Sequence, residues 1–192
     1  NRRWAGFHSV AAAWRWSQEA FMDEVRDQGI ITNGKLRLGW GQTGNSNIGS
    51  YKWGSAMSVM ETGLGVSYRP ANLKNLDIQW ETQEQFNIGL DINFLYDRLN
   101  LVVDLYQKKS ANMLMQLVLP SFMGTSGNGS SALAAPYGNY GDIMNRGIEI
   151  SLNTTPVKVG GFEWHSEPQI SFNQNKLLSL SNSTALIGYG QW

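Results

Sequence analysis

Strict alternation of apolar residues with other residues across residues 86–106 constrains this chain more than any other feature. The apolar positions of the first half are Phe86, Ile88, Leu90, Ile92 and Phe94, and those between them are Asn87, Gly89, Asp91 and Asn93. After a break around Asp97, the apolar positions resume at Leu99, Leu101, Val103 and Leu105. Successive side chains of a strand point to opposite faces, whereas a helix needs apolar residues three and four positions apart. The pattern predicts a β-hairpin with one apolar and one polar face.

The apolar face of this hairpin needs either a dry protein core or lipid. Mean hydropathy is −0.31, and no run approaches the roughly 18 apolar residues of a transmembrane helix. These values exclude a helical span but not a membrane β-barrel, whose strands are only half apolar. Charged residues make up 16% of the chain, below the about 25% of soluble domains. A soluble β-sandwich with the same residues in its core also satisfies the alternation.

Composition narrows the classes of function. Lysine and arginine together number 15, as do aspartate and glutamate, so the net charge of zero gives no electrostatic footprint for nucleic acid. Cysteine is absent, which excludes disulfides, thiolate catalysis and cysteine-based metal sites. His8 and His165 lack a second ligand at a recognisable spacing. We therefore expect no catalytic residue, metal or cofactor.

The remaining segments predict further strands. Residues 4–16 and 35–40 read as strands, separated by a short helix over 17–25 with Ser17 as its N-cap. Residues 142–154 and 162–175 alternate in the same way, and the latter keep Phe162, Trp164, Ile170 and Phe172 in phase. With the hairpin, about six strands are predicted, long enough to cross a bilayer at a tilt. No repeat or linker indicates a second domain.

The connections between these strands differ in length. Residues 41–50 are rich in Gly, Asn and Ser, 51–75 read as loop with a strand extension near 51–59, and 111–141 are irregular. The breaks around Asp97 and over 155–161 are short, and the polar end up to Trp192 reads as loop or the start of another strand. Short turns at one end and long loops at the other are typical of outer-membrane barrels. The chain begins at Asn1 without a leader, so we expect a piece of a longer protein.

Five motifs carry a resemblance to a known family. Residues 36–45 (LRLGWGQTGN) resemble the LKLRxSYGxTGN signature of SusC-like TonB-dependent transporters, and residues 14–21 (WRWSQEAF) resemble GWRISEESF. Residues 80–91 (WETQEQFNIGLD) resemble the WE-T…NIGLD strand of that family, and 97–99 with 106–109 fit its next turn and the YYKKT ending, with Ser110 for Thr. Residues 139–150 (NYGDIMNRGIEI) resemble NxGxIxNKGIEL, with Arg146 in the Lys place. The motifs come in family order and span nearly the whole chain.

This resemblance implies an outer-membrane transporter of the RagA/SusC family. Such proteins are large antiparallel transmembrane barrels of 22 strands, with short periplasmic turns, long extracellular loops and a plugged lumen. Residues 1–192 would be a C-terminal segment of the barrel domain, with the plug and the N-terminal part absent. The family imports glycans or peptides with a SusD-like surface lipoprotein, driven by TonB acting on the plug. A transporter of this kind is not an enzyme.

The resemblance and the alternation together assign faces. Lumen-facing candidates are Arg37, Asn87, Asp91, Asn93, Asp104, Glu149 and Asn153. Lipid-facing candidates are Phe86, Ile88, Leu90, Ile92, Leu99, Leu101, Val103, Leu105, Ile148, Ile150 and Leu152. Aromatic residues expected at the two membrane interfaces are Trp4, Trp80, Phe94, Tyr96, Phe162 and Trp164. Loop aromatics expected to contact a ligand or the lipoprotein lid are Tyr51, Trp53, Tyr68, Tyr137 and Tyr140.

Two alternatives of other classes remain at this stage. A soluble carbohydrate-binding β-sandwich would use the apolar face as its core and would need no detergent. A secreted glycosidase would use two of the carboxylates Asp91, Asp104 and Glu149 as an acid and a nucleophile. The polarity of a lumen wall accounts for the same three carboxylates without catalysis.

Overall fold

A computed structural model describes residues 4–116 and 133–180, most of which lie in strands. The long strands are β1 (Ser9–Trp14), β2 (Ile31–Asn45), β5 (Glu81–Phe94), β6 (Leu99–Ala111), β9 (Asp142–Val159), β10 (Phe162–Ser166) and β11 (Gln169–Ser179). Shorter strands are β3 (Met57–Thr62), β4 (Gly65–Pro70), β7 (Leu114–Gln116) and β8 (Tyr137–Asn139). Helical structure comprises 3₁₀ turns at Trp16–Gln18 and Ala20–Met22 and α1 at Asp23–Asp27. No helix in the described ranges is long and apolar enough to cross a membrane.

The long strands form one antiparallel sheet of seven strands in the order β1-β2-β5-β6-β9-β10, with β11 also paired to β9. From β1 to β9 each long strand pairs with the next long strand along the chain, and β10 and β11 both pair with the remaining edge of β9, so the sheet is an up-and-down meander. The six predicted strands correspond to β1, β2, β5, β6, β9 and the β10–β11 pair. This architecture confirms the predicted all-β class with antiparallel strands.

The register gathers the alternating side chains on two faces. Leu38, Ile88, Leu105 and Ile148 are direct neighbours across four strands, and Leu36, Leu90, Val103 and Ile150 form the next row. We call the side that carries these two rows the apolar face. The residues that alternate with them point to the opposite side of the sheet, which we call the polar face. One row of the polar face consists of Arg37, Gly89, Asp104 and Glu149. A one-residue slip would exchange the two faces, so the pattern fixes the register.

No second layer formed by residues 4–116 and 133–180 covers the apolar face. Within the described ranges no hydrophobic residue is buried, and Leu38, Phe86, Leu105 and Phe172 are 42–59% exposed. A soluble sandwich buries such a face against a second sheet at about 10 Å. The two further sheets are two-stranded, β3-β4 and β7-β8, and belong to the connections at one end. The β-sandwich alternative therefore does not describe this fold.

Connections at the two ends of the sheet differ as predicted. One end carries the turns at residues 95–98 and 160–161 and the helical link at residues 15–30. The other end carries residues 46–80, with the β3–β4 hairpin, and residues 112–141, with the β7–β8 pair. We call these the short-turn end and the long-loop end. In the tight turn after β5, Leu95, Tyr96 and Asp97 all have positive φ angles of 53–63°.

The first segment differs from the sequence prediction. The predicted strand over 4–16 is limited to Ser9–Trp14, because only these residues pair with β2. Ser17 is not an N-cap: it lies in a 3₁₀ turn, makes no capping hydrogen bond and is 1% exposed. Its carbonyl oxygen accepts a hydrogen bond from Arg26 Nη1 at 3.1 Å. The α-helix itself is confined to Asp23–Asp27.

Pairing extends several strands beyond their apolar pattern. Residues 41–45, predicted as loop, are strand because they pair with residues 81–85 of β5, and Gly44 leaves room for the ring of Phe7. The predicted extension near 51–59 is instead the β3–β4 hairpin. The irregular stretch over 111–141 contains β7 and β8, while residues 117–132 lie outside the described ranges, as does the predicted loop or strand over 181–192.

A bulge makes β9 longer than predicted. The predicted break over 155–161 is confined to residues 160–161, because residues 157–159 pair with β10. Three steps on β9, from Thr154 to Val157, oppose two steps on β10, from Ser166 to Trp164. The extra residue is a β-bulge. It shifts the alternation of β9 by one residue, so Val157 and Val159, and not Pro156 and Lys158, lie opposite Trp164 and Phe162.

Candidate functional site

An ion-pair cluster that joins three strands lies at the centre of the polar face. Arg37 of β2 donates from Nε to Asp91 Oδ2 at 2.9 Å and from Nη2 to Asp91 Oδ1 at 2.8 Å. The same Nη2 donates to Asp104 Oδ1 at 3.0 Å, so one guanidinium joins β2, β5 and β6. Paired donation of this kind fixes the orientation of the guanidinium plane. The three side chains are 22–37% exposed, so the cluster borders solvent.

Gly89 makes the cluster possible. It lies directly between Arg37 and Asp104 in the hydrogen-bonded row. A Cβ at Gly89 would lie 2.5 Å from Arg37 Cζ and 2.6 Å from Asp104 Oδ1. A missing side chain in the middle strand thus lets the long arginine cross it. The sequence predicted the face of Gly89 but gave no sign of this contact.

A row of asparagines continues the polar face toward the short-turn end. Asn153 Nδ2 donates to Asn100 Oδ1 at 3.2 Å, and Asn100 Nδ2 donates to Asn93 Oδ1 at 2.7 Å. Asn93 Nδ2 then donates to Asp97 Oδ1 at 2.8 Å. Hydrogen bonds from the Thr32 hydroxyl and from Asn93 lower the pKa of the Asp97 carboxyl below its ordinary value. We call Asn153, Asn100, Asn93 and Asp97 the asparagine row.

Side chains at the long-loop end tie the two long connections together. Asn139 Nδ2 donates to the carbonyls of Gln79 at 2.9 Å and Asn112 at 2.8 Å, and its Oδ1 accepts from the Gln79 amide at 2.8 Å. Asn75 Nδ2 donates to the Tyr137 carbonyl at 2.8 Å. Backbone hydrogen bonds join Ala71 and Leu73 to Ala134. The loops are therefore one connected structure over their described parts.

The five predicted loop aromatics all lie at this end. Tyr51 and Tyr68 are 81% and 69% exposed, while Trp53 and Tyr137 are partly covered. The Tyr140 ring lies over Gly138, where a Cβ would collide with it. A small cavity of about 150 Å³ lies nearby, lined by Lys52, Trp53 and Trp80 among others. The ring of Trp80, one of the predicted interface aromatics, packs edge-on against Phe7 at 6.0 Å.

The carboxylates do not have the arrangement of a glycosidase pair. Asp91 and Asp104 both accept hydrogen bonds from the one Arg37 guanidinium, so the two carboxylates belong to a single ion-pair cluster. Glu149 lies opposite Asp104 in the register and is exposed. In the described parts of the chain no group of three His, Cys, Asp or Glu residues could hold a metal.

The residues predicted for the lumen and those predicted for lipid lie on opposite faces of the sheet. The candidates for the lumen share the polar face, and those for lipid share the apolar face. Sequence reasoning missed Asn100 in the asparagine row, Asn139 between the loops, and Tyr106. The Tyr106 ring lies over Gly147, where a Cβ would lie 2.6 Å from the hydroxyl. Alternation places Asn100 and Tyr106 on the polar face, but partners across strands depend on the register.

Comparisons with known proteins agree with this architecture. Residues 1–192 match the family described as "TonB dependent receptor-like, beta-barrel". The chain is 30% identical over 186 residues to TonB-dependent receptor P39 of Formosa agariphila, covering 95% of this chain and 17% of that protein. It is also 30% identical over 190 residues to TonB-dependent receptor SusC of Bacteroides thetaiotaomicron, covering 94% and 18%.

A solved structure shows the same fold. The structure of the RagAB peptide importer in the "open-open" state matches with a TM-score of 0.79 and 25% identity, covering 95% of this chain and 19% of that one. The chain therefore spans less than a fifth of the length of these relatives. The predicted SusC-like resemblance is confirmed, and the chain belongs to the family of TonB-dependent-receptor β-barrels.

Proposed function

We propose that this chain is a segment of the barrel wall of a SusC-like importer in the bacterial outer membrane. The observation that carries the proposal is a single sheet with an exposed apolar face, a hydrogen-bonded polar face and no buried hydrophobic core in its described residues. Backbone groups in lipid must all be paired, which for strands requires a closed barrel. Among the described strands, β1 and the β10–β11 pair each have one unpaired edge, and further strands of a 22-stranded barrel would pair with them.

In this proposal the apolar face meets lipid and the polar face lines the lumen. From Phe94 to Phe86 the apolar rows extend over nine residues, whose eight steps cover about 27 Å along the strand. Strands tilted by about 40° would cover roughly 20 Å of membrane thickness over that length, close to the apolar band of outer-membrane barrels. The Arg37 cluster and the asparagine row would then face water in the lumen.

The proposed cargo is an oligosaccharide or a peptide. One structural relative is named as a peptide importer, and SusC is among the sequence relatives. The connected loops with Tyr51, Trp53 and Tyr68 offer aromatic faces and hydroxyl groups, which suit both cargo classes and contact with a SusD-like lipoprotein. TonB would act through the plug, and no catalytic step is assigned to this segment.

Two adjacent valines of β6 give a sharp test of the two faces. Val103 lies between Leu90 and Ile150 on the apolar face, whereas Val102 lies between Asp91 and Ser151 on the polar face. This chain contains no cysteine. Val102→Cys and Val103→Cys are therefore introduced separately into the whole transporter, spin-labelled and reconstituted in lipid. We expect the Val103→Cys label to be relaxed by membrane-dissolved oxygen and the Val102→Cys label by a water-soluble nickel chelate.

The comparison is matched because the two positions differ only in the face they occupy. Equal access of the nickel chelate to both labels would contradict the proposed barrel wall. Cargo is tested separately by growth of the source bacterium on defined oligosaccharides or peptides with and without the transporter. If growth with and without the transporter were equal on every substrate of both classes, the proposed import function would be wrong and the barrel would have another function.

A further inference from the structure

The apolar face contains a groove where its apolar side chains give way to polar and basic ones. Phe86, Ile88, Leu105, Ile148 and Phe172 line a groove of about 480 Å³ across β5, β6, β9 and β11. Toward the long-loop end, the next row of this face holds Gln107, Arg146 and Gln174 in direct register. The apolar lining therefore ends at a guanidinium flanked by two amides.

Two lysines extend this cationic edge. Lys109 and Lys176 lie on the same face, each opposite Met144 and two residues beyond Gln107 and Gln174. With neighbouring strands about 4.8 Å apart, their Cα atoms are about 10 Å apart. We call Arg146, Lys109 and Lys176 the basic edge.

The charges of the basic edge are not neutralised by ion pairs within the described chain. Arg146 is exposed, and its side chain makes one hydrogen bond, from Nε to Gln174 Oε1 at 2.8 Å. No carboxylate of residues 4–116 and 133–180 lies within ion-pair distance of the three cations. The acidic residue nearest in register is Glu84, opposite Lys109, and its Oε1 accepts a hydrogen bond from Trp40 Nε1 at 2.8 Å.

We propose that this groove binds an acyl chain of a phosphate-bearing lipid of the outer leaflet, with the lipid phosphate on the basic edge. The inference rests on the proposed function, because it requires the apolar face to lie in the membrane with the long loops outside. An acyl chain matches the five apolar side chains, and a phosphate matches the unneutralised guanidinium, which donates to two oxygens at once. Basic side chains at this depth also bind lipid headgroups because attraction acts over a short distance in a region of low dielectric constant.

The test is native mass spectrometry of the whole detergent-purified transporter titrated with bis-phosphorylated lipid A. The dephosphorylated form of the same lipid is the ligand control. We expect wild type to bind the phosphorylated lipid at least tenfold more tightly than the dephosphorylated one. Arg146→Gln should lose about tenfold in affinity for the phosphorylated lipid, whereas Arg146→Lys should retain most of it.

The chain offers a matched control within β6. Lys108 and Lys109 are adjacent, but Lys108 lies on the polar face opposite Gln85 and Asn145. Lys109→Gln should weaken lipid binding severalfold, and Lys108→Gln should leave it unchanged. Inorganic phosphate at the lipid concentration should displace nothing, because the acyl chain supplies much of the attraction.

Several outcomes would overturn the inference. Wild-type affinity in Arg146→Gln, or equal binding of both lipid forms, would remove the phosphate contact. Displacement by inorganic phosphate would indicate a site that does not need lipid. Loss of a dimer in Arg146→Gln, without loss of bound lipid, would assign the groove to a second copy of the chain. If the valine labels place the apolar face in lipid while any of these results holds, only this inference fails.

Discussion

Arg37 binds Asp91 through two parallel hydrogen bonds of 2.9 and 2.8 Å, across the boundary between β2 and β5. The pair belongs to residues 54 positions apart in sequence, and Asp104 joins it from β6 at 3.0 Å. Among the described residues, Arg37 is the one cation that forms an ion pair with either carboxylate. Loss of that cation therefore leaves two neighbouring negative charges on adjacent strands.

Arg37→Gln should destabilise the protein by about 1–2 kcal/mol, a value reduced for solvent screening because the three side chains are 22–37% exposed. Gly89→Ala should have a similar effect, since its Cβ would displace the guanidinium. The double variant should cost less than the sum of the two, because both changes remove the same contacts. Heat-modifiable electrophoresis measures the midpoints, and full additivity would show that Gly89 does not act through Arg37.

A second prediction concerns Gly147, which should be far less replaceable than Gly39. Both glycines lie in one hydrogen-bonded row with Asn87 and Tyr106. A Cβ at Gly147 would lie 2.6 Å from the Phe172 carbonyl oxygen and from the Tyr106 hydroxyl, whereas one at Gly39 meets nothing within 4 Å. Gly147→Ala should destabilise by about 1–3 kcal/mol through overpacking. Gly39→Ala should be neutral or slightly stabilising in the same thermal assay, and equal costs at both sites would contradict this account.

Acid sensitivity of the short-turn end should depend on the Thr32 hydroxyl. Its hydrogen bond to Asp97 Oδ1 (2.6 Å), with that from Asn93, lowers the folded-state pKa of Asp97 below the ordinary 3.8. The charged carboxylate therefore contributes stability above its ordinary pKa, and the contribution is lost as the pH falls through the folded pKa. Thr32→Val should move the acid-unfolding midpoint to higher pH, whereas Thr32→Ser, which retains the hydroxyl, should not. Identical midpoints for Val and Ser would show that the hydroxyl is irrelevant.

Asn139→Ala should loosen the long loops without weakening the sheet. The change removes both donors and the acceptor that join Asn139 to Gln79 and Asn112. Hydrogen exchange at the Gln79 amide should accelerate by at least tenfold, while exchange within β5 and β6 stays unchanged. Asn47→Ala is a control outside this network, because Asn47 donates to Asn45 Oδ1 from its backbone amide, at 3.0 Å, and the substitution keeps that amide. Unchanged exchange at Gln79 would mean that other contacts hold the two loops together.

The sequence predicts which face of the sheet a side chain occupies better than it predicts the lengths of the strands. Alternation at residues 86–94 places Asn87, Asp91 and Asn93 together, because side-chain phase is a local property of a strand. The strand at residues 41–45 escapes prediction, since Gly41 and Gly44 have low strand propensity and only pairing with β5 stabilises them. Pairing between distant segments is not encoded in either segment alone.

The same distinction applies to the candidate site. Arg37 and Asp91 are both predicted for the polar face, but their contact depends on a register between residues 54 positions apart. In the sequence Gly89 is an ordinary glycine within a strand, and only the structure shows that the Arg37 side chain crosses it. The loop aromatics are predicted at the correct end, whereas the asparagines that hold those loops are common loop residues without a distinguishing pattern.

Because of the bulge, the side chains of β9 alternate between the two faces in one phase before residue 155 and in the opposite phase after residue 156. From Ile148 to Thr154 the even-numbered side chains of β9 lie on the apolar face. Beyond the bulge the odd-numbered residues Val157 and Val159 lie there instead. Deleting either Thr155 or Pro156 would remove the extra residue and restore uniform alternation, so the two valines would stay opposite Trp164 and Phe162 and Lys158 would stay opposite Glu163. A one-residue deletion at the bulge would thus keep the orientation of the hairpin tip, whereas flattening the bulge with every residue retained would invert it.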